Sequence, residues 1–573
     1  MKNILKISLA VVMGLLTVSC IKETFPKGNT VTKEQLEGQG DKALTYMLSG
    51  IPSAMTISGA AGYYGTYGYH YDFGISAVHF ATEAMLEDLA ILGELGYFWF
   101  NGWYQNLGQG PEYTSCAYFW YQYYKWIKLT NDIINVAGEV TEETSRQTME
   151  ILGQVHTYRA MYYLDLARMY EPKPNKTLQP NRNIIGLTVP IVTESTTEEQ
   201  AKNNPRASRE KIYEFILSDL AKAEKYLKDA PYRYSAPSLT AVYGLYARAY
   251  IELGAAFADP DQCINRDESA LTGMTSQSAY TKAAEYARKA IDMDLHSPLT
   301  QDQWEDPANG FNNGAANKAW IWGVTTSAEN QSNLISNIAH RSAEALYGYG
   351  SLAMPGISMA LYNRISDEDF RKHSWFDPDL GYDYKLASSG QIQAADKSYY
   401  FLYGQYGFEA PKYLSLKFRP ASGEVLNYTV GNCADWPLMR IEEMYFLEIE
   451  AVLRLKGLTA AQTLLNEFMQ DYRYETYDCS LTTMSEEAFI NEMMLQKRIE
   501  FWGEGILFFD YKRLNRGINR GYNGSNIPEV AQFNCEDRSP QWNIVITRGE
   551  YQSNKILESQ NNPDPTEKLT LGK

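Results

Sequence analysis

LTAVYGLYARAYIELG (239–254) and AYTKAAEYARKAIDMD (279–294) decide the fold between them. The first sets alanines and a glycine among large rings, which lets a second helix approach closely. The second places Ala283, Ala287 and Ala290 at helical spacing beside Tyr280 and Ile291. Together they read as the two helices of one tetratricopeptide-type hairpin, split by an insertion at 255–278. LMRIEEMYFLEIEAVLRLKG (438–457) and AAQTLLNEFMQDY (460–472) repeat the plan across a short turn at Lys456-Gly457. EILGQVHTYRAMYYLDLARMYE (150–171) pairs with SREKIYEFILSDLAKAEKYL (208–227) over a loop rich in Pro and Asn. In the latter, Ser208 caps an apolar stripe of Ile212, Phe215, Ile216, Leu220, Ala223 and Leu227. A helical pattern also runs through 486–515. A period near 34 residues, stretched by inserts, predicts an all-α, tetratricopeptide-like superhelix. An all-α enzyme core with Ala-rich crossings would show some of the same spacing.

From about 295 to 437 the helical signal thins into Gly, Asn, Asp, Ser and aromatics, as in GFNNGAANKAWIWGV and YFLYGQYGFEAPKY. This predicts a large loop-rich insertion, and long loops on a rigid scaffold are where binding concentrates. The expected organisation is a leader at 1–19, a tether at 20–40, and one domain over 41–573. Within that domain the scaffold occupies about 41–294 and 438–520.

The leader reads from its own residues. Ile4 to Thr17 is apolar apart from Lys6, follows Lys2, and is too short to span a membrane. Thr17-Val18-Ser19 precedes Cys20, which resembles the lipobox of bacterial lipoproteins with Leu16 displaced by one place. A plain signal peptide containing a cysteine has the same outline. Cleavage before Cys20 and acylation of its thiol would tether a soluble chain to a membrane.

The 573 residues carry 52 basic and 69 acidic side chains, a formal net charge of −17. Such a surface repels phosphate backbones, so nucleic acid is not an expected partner. Beyond Cys20, five cysteines at 116, 263, 433, 479 and 535 show no CxxC spacing, which excludes a zinc site or a disulfide scaffold. No GxSxG, HExxH, GxxxxGK[ST] or GxGxxG spacing occurs. Asp377, Asp379 and Asp383 alternate, but Gly381 and Ser388 stand where an EF-hand loop needs ligands, so no metal is expected. Nor is any cofactor. Paired carboxylates suited to glycoside hydrolysis remain open among so many acids.

Two aromatic knots suit a sugar, whose apolar face an indole covers while amide groups meet its hydroxyl rim. YFWFNGWYQN (97–106) supplies Trp99, Asn101, Trp103 and Tyr104. WIW (320–322) supplies Trp320 and Trp322, which face the same way if the stretch is a strand. Core packing is the alternative for each tryptophan. YYGTYGYHYDFG (63–74) is a third cluster, read as a partner contact or a loop.

The ordered helices resemble the SusD/RagB family. VHTYRAMYYLDLARMYE, REKIYEFILSDLAKAEKYL and LTAVYGLYARAYIELG are similar to its early helices. WPLMRIEEMYFLEIEAVLRLKG, with Arg440, Glu443, Tyr445 and Glu450, is similar to a signature helix. QKRIEFWGEGILFFDYKRLNRG, with Arg498, Glu500, Glu504, Gly505, Asp510 and Arg513, resembles the C-terminal signature, except that Leu507 replaces its usual basic residue. The resemblance implies a non-catalytic lipoprotein on the extracellular face of the outer membrane, anchored through Cys20. It would bind an oligosaccharide, or in some members a peptide, over a SusC-type TonB-dependent barrel transporter. It also implies an aromatic ligand site in the regions of the two knots.

Overall fold

The computed structural model describes residues 40–56, 74–92, 109–328, 342, 345, 354–377, 379, 412–566 and 568. Cys20, Trp99, Asn101, Trp103, Tyr104 and the 63–73 part of the third aromatic cluster lie outside the described residues.

Helices α1 (Asp41–Thr56), α2 (Ile75–Ala84), α3 (Thr114–Ala137), α4 (Arg146–Tyr170), α5 (Arg209–Leu227), α6 (Leu239–Ala258) and α7 (Ser276–Ile291) form the first run. After the insertion come α8 (Ile441–Lys456), α9 (Leu458–Tyr472), α10 (Glu486–Glu500) and α11 (Leu507–Arg513). Their ends follow from local chemistry. Ser208 accepts from the Lys211 N–H at the start of α5, and Ser145 does the same for Thr148 at α4. The fold is the expected tetratricopeptide-like one, and α6 packs along α7 as one hairpin. Gly254 is what permits that closeness, since a Cβ there would stand 2.8 Å from the Tyr280 ring.

Buried ion pairs then lock helix to helix. Arg159 of α4 grips Asp219 of α5 at 2.7 and 2.9 Å, with His156 Nδ1 on the same carboxylate at 2.7 Å. Burial opposes ionisation of Asp219, but the Arg159 guanidinium overrides it and takes the carboxyl down to about 2. Arg248 of α6 forks onto Glu443 of α8 at 2.7 and 2.6 Å. Arg513 of α11 holds Glu450 of α8 at 2.8 Å and Asp510 at 2.6 Å. The signature residues of the sequence therefore sew the helices together.

The insertion rests on two short antiparallel strand pairs. β1 (Leu89–Ile91) pairs β3 (Pro355–Ile357) and β2 (Trp320–Val324) pairs β4 (Trp436–Arg440), while a third pair, β5 (Ile518–Asn519) with β6 (Asn534–Cys535), follows α11. No disulfide forms among the described residues. None of the described helices is long and apolar enough to cross a membrane.

The WIW strand requires a correction. β2 forms as expected, but every residue of it is buried, and Trp320 and Trp322 are each 0% exposed. Trp322 stands edge-on to Tyr158 of α4 at 5.0 Å, and Trp320 meets Phe311 and Tyr234. A two-stranded ribbon covered on both sides hides each indole whichever way it points. Neither ring offers a face to a ligand.

Candidate functional site

Beneath the insertion lies a closed set of buried charges. Arg371, Lys417, Arg440 and Arg473 face Asp369, Glu442, Glu500 and Glu504, four cations against four acids. Glu500 alone receives Arg371 at 2.9 Å, Arg473 at 2.8 Å and Arg440 at 3.1 Å. Burial disfavours its charge, yet the three guanidiniums hold its carboxyl far below the usual range. Burial also lowers the Lys417 ammonium to about 8, although it donates to Glu504 at 2.8 Å and to two backbone carbonyls. Apart from Glu442 Oε2, which has no hydrogen-bond partner among the described residues, these charges are paired with one another and form an internal clamp for the insertion. Leu507, the departure from the signature, is fully buried in the core and brings no charge to it.

Above the clamp, one ribbon collects the described residues that border three stretches of chain. β1 continues to Leu92, whose N–H donates to Met354 O at 3.1 Å, so the last residue before 93–108 lies beside the residue that follows 346–353. Ile357 N–H donates to Tyr413 O, and Tyr413 N–H donates to Phe376 O. Asp377, at 3.6 Å, and Asp379 both face Lys412 Nζ, which puts the borders of 380–411 together as well. The aspartates of the DPDLGYD stretch that the structure describes thus meet an ammonium group. Among the described residues no group of three His, Cys, Asp or Glu side chains is placed to hold a metal ion.

The ribbon is held rigidly from below. The Asp88 carboxylate, next to β1, accepts both arms of Arg498 at 2.6 Å and the Ser358 hydroxyl at 3.1 Å. Its carbonyl accepts the Trp502 indole N–H at 2.9 Å and the Ser358 N–H at 2.9 Å. Gly505, at φ +79°, lies flat against His79, and a Cβ there would stand 2.3 Å from the His79 Cβ. His79 in turn accepts from the Trp436 indole at 3.0 Å.

A second border is the loop before β4. Thr326 Oγ1 donates to Ala434 O at 2.6 Å, three residues before the undescribed stretch that begins at 329. The same loop exposes Leu426, Tyr428 and Val430, each about two-fifths accessible (39%, 38% and 42%). Beside it, burial pushes Asp435 up to about 6 even though Tyr234 donates a hydrogen bond to it at 3.0 Å. Sequence reasoning missed Tyr428 and Asp435. The only signal was a tyrosine in a Gly/Asn-rich stretch, which many positions here share.

A loop-bearing tetratricopeptide-like superhelix is the class of protein these features define. The family described as "Starch-binding associating with outer membrane" matches residues 76–251, and the SusD family matches residues 404–567. The two stretches together exceed half of the chain, and the second begins within the insertion. The chain belongs to the SusD/RagB family.

Solved structures agree in fold. A SusD-like carbohydrate-binding protein from Bacteroides vulgatus superposes with a TM-score of 0.64 at 19% identity, covering 91% of this chain and 98% of its own. A SusD superfamily protein from Bacteroides thetaiotaomicron gives 0.62 at 18%, covering 91% and 100%. Surface glycan-binding protein A from Bacteroides thetaiotaomicron, in complex with laminarihexaose, gives 0.59 at 14%, covering 90% and 98%. No curated protein matches the chain.

Proposed function

We propose that this protein captures an extracellular oligosaccharide at the outer membrane and delivers it to a SusC-type TonB-dependent transporter. The observation that carries the reading is the ribbon of β1, β3 and Tyr413, which gathers the described residues bordering 93–108, 346–353 and 380–411 onto one base. Trp99, Asn101, Trp103 and Tyr104 belong to the first of those stretches, and they are the residues we assign to the ligand. The buried pair Trp320 and Trp322 is left out of the site. A relative of the same fold holding laminarihexaose supports a glycan over a peptide. No catalytic activity is assigned.

Calorimetry against a glycan and peptide panel tests the reading. Trp99→Ala should weaken glycan binding by about 1 to 3 kcal/mol, the range of one buried aromatic side chain. Binding confined to peptides would overturn the substrate class. Cys20 is the proposed lipid anchor on the extracellular face, so Cys20→Ala should abolish palmitate labelling and outer-membrane retention. Retained labelling would remove it from that role. Co-purification of a barrel in mild detergent tests the transporter.

A further inference from the structure

Far from the ribbon in sequence, the C-terminal end of α6, the start of α7, the last turn of α8, the start of α10 and the turn after α11 line an open cavity of about 630 Å³. Four arginines line it, Arg454, Arg513, Arg516 and Arg538, against two acids, Asp259 and Glu487. In a chain of net charge −17 this is a local reversal of sign.

The four arginines are not equally occupied. Arg513 is neutralised from behind by Glu450 and Asp510. Arg538, 6% exposed, spends its donors on the carbonyls of Lys512, Pro174 and Arg513, with the Asp259 carboxylate no nearer than 4.0 Å. Asn515, at φ +55°, accepts from the Arg538 N–H and fixes that turn. Arg516 gives one nitrogen to Glu487 at 2.8 Å and Asn491 at 2.6 Å, while its buried Nε has no acceptor among the described residues. Arg454 is exposed on the last turn of α8 and makes no ion pair with a described residue. Ser276 and Gln277, at the start of α7, add the positive end of a helix to the same wall.

We propose that this cavity binds the carboxylate of an acidic sugar, a uronate, with Arg454 and Arg516 as the recognising pair. Guanidinium groups match a carboxylate in a planar two-point fork, and the exposed Arg454, unpaired among the described residues, is free to present one beside Arg516. The volume lies in the range of small organic ligands and exceeds what a bare ion fills. Gln262, Gln277 and Asn515 offer amides for ring hydroxyls. The inference rests on the chain being a glycan binder, but it concerns a site separate from the aromatic one.

The test is calorimetry on the full chain in detergent at low salt, with sodium glucuronate, its methyl ester and glucose as probes. Glucuronate should bind, more weakly as salt rises, while the ester and glucose should not. Arg454→Gln combined with Arg516→Gln should weaken glucuronate at least tenfold with an unchanged melting temperature, since both lie at the surface of the cavity. Arg454→Glu alone should weaken it further than Arg454→Gln. Trp99→Ala should leave glucuronate binding intact, which separates this site from the proposed glycan site. Equal binding of the methyl ester, an unaffected double variant, displacement by equimolar sulfate, or loss of glucuronate in Trp99→Ala would each overturn the proposal.

Discussion

Asp435 shows what one side chain can be asked. Its carboxyl titrates near 6 in the fold against an ordinary value of 3.8, because burial disfavours its charge. Between those values the folded chain holds a proton that the unfolded chain has lost, so stability falls as pH rises through that window. The penalty is fully present above pH 6 and absent below 3.8. Asp435→Asn should therefore stabilise the protein above pH 6 by up to roughly 3 kcal/mol, with no difference from wild type near pH 3.5, in urea melts across that range. Arg440 poses the opposite case. Arg440→Met leaves Glu442, Glu500 and Glu504 short of a cation in the interior, and should cost about 3 to 5 kcal/mol by the same measurement. The family resemblance singled out Arg440 in one signature and Glu500 and Glu504 in another, but not that they meet as a balanced octet with residues of the insertion. It misjudged Trp320 and Trp322 for a related reason. A strand's alternation says which side chains share a face, and only the neighbouring layers decide whether that face is wet.

At the scale of elements, turns separate what periodicity joined. The 486–515 pattern is two helices, because the chain reverses at Phe501–Ile506 around Gly505. Gly505→Ala combines an unfavourable backbone angle with a clash against His79 and should cost more than about 3 kcal/mol. Gly457, at φ +84° between α8 and α9, has open space within 4 Å of where a methyl group would stand. Gly457→Ala should lose only about 1 kcal/mol, so the two melting midpoints should differ clearly. The 438–457 pattern likewise begins with a strand, β4, since WPLMR carries a proline and is drawn into pairing with β2.

The whole molecule is closed by its C-terminal segment. Arg206, 3% exposed and without a described acid on its guanidinium, donates to the carbonyls of Tyr170, Leu187, Thr188 and Gln560 and to the Asn562 side chain. Burial accordingly lowers it to about 9. Asn562 also reaches Tyr170 O and Ile544 O, and Asn554 reaches Asn204 O. Removing residues 556–573 strips two acceptors from a buried guanidinium and should cost about 3 kcal/mol or more, read as a lower unfolding midpoint. This closure was invisible in the sequence, where the final fifty residues carry no periodic signal and resemble no helix of the repeat.

Arg206 and its last acceptors are 354 and 356 positions apart. A ribosome adding roughly 5 to 20 residues per second needs roughly 20 to 70 s to travel that distance. Throughout that interval the end of α4 and the loop before α5 hold a buried cation whose coordination is incomplete. Closure of this contact therefore waits until Asn562 has been made.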